Sequence, residues 1–374
     1  MSSLVSPSAS QAQTAAGDTS RPTGSLSGVV ANAYLLAEPG SGAAVDPHLV
    51  CVDRLDTADQ IGQTLMPGVA WDRLDTISEL IAAGRIGGWV VMGTPDSTLD
   101  ARIGEVKGLG AIDPLVAVDE EGGRVQRLRN VLTRLPSASQ MAATLNPDEL
   151  RELFTGHARD MVALGFDVDF APVLDVGGGP GIGDRSYGDE VPVVIEYGLA
   201  NIAGLEDGGL LSVAKHFPGH GSASADSHEE LPTTPPLAEL LALDVEPFRH
   251  AIEGGVDAIM VGHLDVPGLT DSMPTSLSPE AVSGLLRGDL GFDGLVFTDS
   301  LDMGAIVERW STPEAVELAL SAGNDIALLG NADEIDTIHL RLLDALSAGR
   351  LDAAQLAASV ARILRAKEIF ACTL

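Results

Sequence analysis

Two short segments hold many of the residues able to do bond-making or proton-transfer chemistry. In Asp119-Glu120-Glu121-Gly122-Gly123-Arg124-Val125-Gln126-Arg127, a carboxylate closes an apolar run, two glycines allow a tight turn, and two arginines follow three apart. Carboxylates accept, and guanidinium forks donate, the hydrogen bonds that sugar hydroxyls offer. The second segment, Lys215-His216-Phe217-Pro218-Gly219-His220-Gly221 with Asp226-Ser227-His228 downstream, strings three histidines and an aspartate along a Gly-rich loop. Histidines spaced four and eight apart invite comparison with a metal site. They lie on a loop with Pro218 and Gly219 rather than on a helix, however, and neighbouring Lys215 opposes a cation, so neither a metal nor another cofactor is expected. Lys215 also stands out because lysine occurs only at 107, 215 and 367.

Something must bring these segments side by side, and the rest of the chain shows what. Short apolar runs of strand length recur at 62–69, 87–92, 115–119, 168–175, 211–216, 258–263, 295–299 and 325–329. Between them lie helical patterns such as 76–83, 149–164, 193–206, 236–254 and 278–287, and a terminal helix is expected at 353–370. Eight strands alternating with helices predict the α/β class and a (β/α)8 TIM barrel. In such barrels the working residues sit at the carboxyl ends of the strands. Here Asp119, Asp175, Lys215 with His216, His263 and Asp299 close five of the runs, enough to build a polar pocket on an apolar scaffold. A lone strand-end carboxylate is ordinary, so the argument rests on the set.

Residues 1–45 are rich in Ser, Ala, Gly, Thr and Pro and carry no sustained hydrophobic period. They read as a loose tail with one short ordered piece at about 29–36, and residues 46–374 as a single catalytic domain. The 22 basic residues against 54 acidic ones give a formal charge of −32, which repels phosphate backbones and anionic headgroups. Nucleic-acid and membrane-surface partners are therefore not expected. An acid-rich, lysine-poor surface is similar to that of proteins from salt-loving organisms, while a high-GC genome that favours Arg over Lys is the alternative. No apolar stretch of about 18 residues exists, and the N-terminus lacks the pattern of a signal peptide. The two cysteines, Cys51 and Cys372, are too few for a disulfide framework, although as a pair near the two ends they could meet. The expected setting is a reducing, cytoplasmic one.

The two segments resemble the signatures of glycoside hydrolase family 3. Lys215 to Gly221 with Asp226-Ser227-His228 is similar to the β-N-acetylglucosaminidase (β-N-acetylhexosaminidase) branch in particular. Asp184-Arg185-Ser186-Tyr187-Gly188 and Thr298-Asp299-Ser300-Leu301-Asp302-Met303 match in order, and the resemblance spans roughly residues 55 to 370. It implies that Asp299 is the nucleophile of a retaining double displacement, with His228 as general acid/base and Asp226 its orienting partner. An imidazole titrates near neutrality, so it can protonate a leaving oxygen and later deprotonate water. Ser222 to Ala225 would give the loop slack to swing.

The resemblance further assigns sugar binding to Asp119, Arg127, Arg185, Lys215 and His216, with Asp175, Met260, His263 and Met303 shaping the pocket. Glu120 stands where many relatives carry Gln and is expected to face away from the sugar or to alter hydrogen bonding slightly. Tyr187 stands where Phe is common. The expected substrate is a small N-acetylglucosaminide. A β-glucosidase or β-xylosidase, an N-acetylglucosaminide phosphorylase, and a sugar-binding protein on a decayed barrel are the alternatives. The oligomeric state is not legible.

Overall fold

A computed structural model describes residues 46–369 and 371–373; the expected N-terminal tail lies outside the described residues. Ten strands occur in chain order: β1 (Leu65–Ala70), β2 (Gly88–Met92), β3 (Leu115–Val118), β4 (Glu120–Gly122), β5 (Val125–Gln126), β6 (Val168–Asp169), β7 (Leu211–Phe217), β8 (Ala258–Val261), β9 (Leu295–Thr298) and β10 (Ala327–Leu329). β4 and β5 form a small antiparallel hairpin directly after β3. The other eight pair in parallel in the order β10-β1-β2-β3-β6-β7-β8-β9, and a bridge from Phe297 to Ile326 closes the ring. The result is the expected (β/α)8 barrel.

These strands read as unbroken apolar runs because a parallel barrel strand is covered on both faces. One face fills the barrel, where Phe170 and Phe297 meet edge to face with centroids 5.5 Å apart. Ile363, from the terminal helix Ala353–Ala366, joins this interior cluster. The other face packs on the helical ring. The helix Pro147–Ala163, for instance, starts where the Asn146 side chain accepts from the Glu149 amide while Glu149 reaches back to the Asn146 amide. It buries Leu150, Phe154 and Met161.

Several elements differ from their expected bounds, and three of them show why. The strand expected at 168–175 pairs regularly only over Val168–Asp169; Pro172 has no N–H to extend the ladder, and a single bridge resumes between Val173 and Lys215. The helix expected at 236–254 splits into Leu237–Ala242 and Glu246–Glu253, because Pro247 fits the first turn of a helix but not its interior. Residues 62 and 63 end the helix Thr57–Gln63 rather than begin a strand.

The two cysteines meet, as their places near the two ends allowed. The helix Pro47–Val52 packs on the terminal helix, the His48 imidazole bonds the Ile369 carbonyl, and Cys51 is joined to Cys372 in a disulfide across 321 residues of chain. The Cα atoms stand 4.9 Å apart, a normal span for such a bond. Among the described residues no helix is long and apolar enough to cross a membrane.

Candidate functional site

A cavity of about 460 Å³ opens at the carboxyl ends of the strands. Asp119, Arg127, Arg185, Lys215, His216, His228 and Asp299 line it, together with Met92, Phe170, Met260 and Met303. Asp226 lies behind His228 rather than in the wall. Eight residues chosen from sequence thus converge on one place. Of the expected pocket-shaping residues, Met260 and Met303 reach the wall, whereas Asp175 and His263 support it from behind.

β7 delivers Lys215 and His216 side by side. The Lys215 ammonium is buried, 2.8 Å from Asp119 Oδ1 and 2.6 Å from Glu121 Oε1. Burial alone pulls its pKa down, but the two carboxylates more than offset that and hold it above its ordinary value. Glu121 also grips Arg185 through two parallel bonds of 2.8 and 2.7 Å. Burial opposes the charged form of Glu121, yet Lys215 and Arg185 together press its pKa far below the usual carboxylate range. One buried carboxylate therefore holds two cations at the cavity wall.

His216 is oriented by Asp175. The imidazole Nδ1–H donates to Asp175 Oδ2 at 2.7 Å, which leaves Nε2 to accept from Arg185 Nη2 at 3.3 Å. Asp175 also accepts from the His220 amide at 2.7 Å. Arg127 behaves differently: its Nε is buried and meets no hydrogen-bond partner among the described residues.

Asp299 closes β9, its amide bonded to the Val261 carbonyl at 2.9 Å. Burial raises its pKa, but His216, His263 and the Ser300 amide reverse the effect and hold it at about 2. His228 stands at the rim, two-thirds exposed, with Nδ1 on Asp226 Oδ1 at 2.8 Å. Donation from Nδ1 leaves Nε2 free on the side away from Asp226. The loop that carries His228 has less slack than its composition suggests. Ser222 Oγ is held by Asp244, and Ser224 exchanges bonds of 2.9 Å with Thr233 through its amide and its hydroxyl.

Glu120 turns away from the cavity, accepting from Gln126 and the Leu128 amide and bonding His157. Tyr187 is buried, and its hydroxyl accepts from Asn201 at 2.7 Å, so the extra oxygen relative to Phe is satisfied internally. The three loop histidines face separate partners, Asp175, Ser227 and Asp226. Among the described residues no three His, Cys, Asp or Glu side chains converge as metal ligands.

The chain matches the family model of the glycosyl hydrolase family 3 N-terminal domain over residues 57–366. A Beta-hexosaminidase LpqI from Mycobacterium tuberculosis (strain ATCC 25618 / H37Rv) is 41% identical over 88% of this chain and 89% of its own length. This chain belongs to glycosyl hydrolase family 3. A solved structure of a family 3 glycosyl hydrolase from Mycobacterium smegmatis str. MC2 155 superposes with a TM-score of 0.79 at 41% identity, covering 84% of this chain and 98% of that one. A family 3 β-N-acetylglucosaminidase from Paenibacillus sp. str. FPU-7 superposes with a TM-score of 0.80 at 33% identity, over 84% of this chain and 62% of the other.

This family 3 enzyme hydrolyses glycosidic bonds, and behind its cavity wall stands Glu121, which sequence reasoning left without a part. Glu121 was visible only as one of three consecutive acidic residues. The usable signal was an imbalance: two cations aimed at one pocket need more than Asp119 to neutralise them. Asp175, expected at a strand end, lies beyond the regular pairing of its strand, and its hold on His216 required the fold.

Proposed function

We propose that this enzyme is a retaining, exo-acting β-N-acetylhexosaminidase that removes terminal N-acetylglucosamine from a small glycoside. The observation that carries the reading is the pairing of an ionised carboxylate, Asp299, with a His228–Asp226 dyad on one cavity whose wall holds Asp119, Arg127, Arg185, Lys215 and His216. Asp299 attacks the anomeric carbon and forms a glycosyl-enzyme ester while His228 Nε2 gives its proton to the departing oxygen. Neutral His228 then takes a proton from water, which attacks the same carbon and releases Asp299. Asp226 keeps the proton of Nδ1 in place and balances the imidazolium. The cavity wall supplies donors for the sugar hydroxyls.

Relatives named β-hexosaminidase and β-N-acetylglucosaminidase support the N-acetyl sugar as substrate. We take residues 46–374 as one catalytic domain. The Cys51–Cys372 bond favours a compartment where disulfides persist, in place of the cytoplasm expected from sequence.

The test is release of 4-nitrophenol from paired β-N-acetylglucosaminide and β-glucoside, each with and without phosphate and at low and molar salt. Preference for the N-acetyl sugar with free N-acetylglucosamine as product is the expected result. Preference for glucoside replaces the substrate class. Glycosyl phosphate replaces hydrolysis by phosphorolysis, and silence in every condition returns the chain to sugar binding alone.

A further inference from the structure

The segment that carries His228 is fastened to the loop that carries Asp299. Beyond Asp299 the chain is held on both sides: His263 Nε2 bonds the Ser300 carbonyl at 2.9 Å, and the Leu301 amide bonds the Leu328 carbonyl of β10 at 3.0 Å. Three residues beyond Leu301 the short helix Gly304–Val307 begins. Its opening amides point at the other loop, the Gly304 N–H donating to the His228 carbonyl at 3.1 Å and the Ala305 N–H to the Ser227 carbonyl at 3.2 Å. On the far side of the same segment the Ser227 hydroxyl is bonded to His220 Nε2 at 3.0 Å.

This approach requires a residue without a side chain. A Cβ at Gly304 would stand 2.4 Å from the Glu229 carbonyl oxygen and 2.7 Å from that of His228. Both are backbone atoms, which cannot swing aside as a long side chain could, so the His228 segment itself would have to move.

We propose that Gly304 is a positioning residue that sets the general acid/base against the nucleophile, through main-chain bonds and without touching substrate. The proposal rests on the assignment of Asp299 and His228 given above. Because the Asp299 loop is fixed to β8 and β10, Gly304 acts as a stop at a set distance from the nucleophile, and His228 is seated on it. Moving an acid by about 1 Å costs on the order of 10²-fold when the leaving group depends on it, and little when it does not.

The experiment measures kcat/KM on aryl β-N-acetylglucosaminides that span good to poor leaving groups, for the parent enzyme, Gly304→Ala, His228→Ala and their double variant, with Ser227→Ala in parallel. Gly304→Ala should lose about 10²-fold on the poorest leaving group and only a few-fold on the best. In the double variant Gly304→Ala should add nothing to the loss from His228→Ala, since both act through one imidazole. Ser227→Ala inserts no volume, removes the opposite tether, and should steepen the same dependence more mildly, so it reads the device even if Gly304→Ala folds poorly. Equal loss on all leaving groups, or no loss, in both Gly304→Ala and Ser227→Ala overturns the proposal while His228→Ala keeps its steep dependence. A flat dependence in His228→Ala itself overturns the acid assignment and this proposal with it.

Discussion

The two ends of the barrel divide the three lysines of the chain, and all three are bound by protein partners. At the floor, Lys107 bonds Asp167 at 2.7 Å and the Gly165 carbonyl at 3.2 Å, and Lys367 bonds Gln63 and the Gly87 carbonyl at 2.7 Å each. A cavity of about 580 Å³ opens there, larger than the one at the mouth, with Asp113, Asp167, Asp257 and Glu206 on its wall. Its cations are occupied with holding the terminal helix and the strand starts in place. At the mouth, Lys215 is spent in the same way, on Asp119 and Glu121, but beside it stand an ionised Asp299 and a His228 whose Nε2 faces away from its aspartate. Neither cavity volume nor charge count separates a working site from a structural one here. What separates them is the lining: the mouth sets a carboxylate, Asp299, and an exposed imidazole, His228, on one wall, and among the described residues no histidine lines the floor cavity.

The comparison can be broken in three places. Replacing Asp299 with Ala should lower kcat on the order of 10⁴-fold or more while leaving thermal unfolding nearly unchanged, because it removes the attacking atom and little packing. With its pKa held at about 2, Asp299 stays ionised through the whole range in which the protein is handled. Its folded pKa lies below the ordinary value, so deprotonation is complete well before pH 4. Covalent trapping by an activated fluorinated N-acetylglucosaminide should therefore show no acid limb between pH 4 and 6, and a limb there would mean that the reacting carboxylate is not held below its ordinary pKa.

A smaller effect is expected at Glu121. Glu121→Gln keeps the shape but leaves Lys215 and Arg185 competing for fewer anionic oxygens, and kcat/KM should fall about 10²-fold, mainly through KM, as the two cations lose their fixed spacing. A change in kcat alone, with KM intact, would contradict a part in holding the sugar-binding cations. The smallest effect on turnover belongs to the closing seam of the chain. Cys51→Ser should leave kcat within about twofold and lower stability by roughly 2–5 kcal/mol in chemical unfolding. A comparable loss of turnover would show that the two ends of the barrel are coupled.

The barrel was legible because parallel strands covered on both faces leave continuous apolar runs that alternation with helices makes countable. Its exceptions came from prolines whose effect depends on position: Pro172 cut a ladder short, and Pro247 opened a helix that had been read as continuing through it. The cavity was legible for a different reason, that side chains at strand ends share one rim whatever their sequence separation. What stayed hidden depended on approach in three dimensions. Nothing local to Gly304 says that a carbonyl 76 residues earlier will rest on it, and nothing local to Cys51 says that Cys372 is its partner.

That last bond turns the enzyme into a covalent ring. Every peptide linkage between residues 51 and 372 lies inside a closed loop of main chain and disulfide. A single cut in a surface loop between those two residues opens the ring without releasing a fragment, so a nicked molecule stays in one piece under non-reducing conditions and separates into two only when the sulfurs are reduced. The barrel, closed once by hydrogen bonds between β9 and β10, is closed a second time by its own ends.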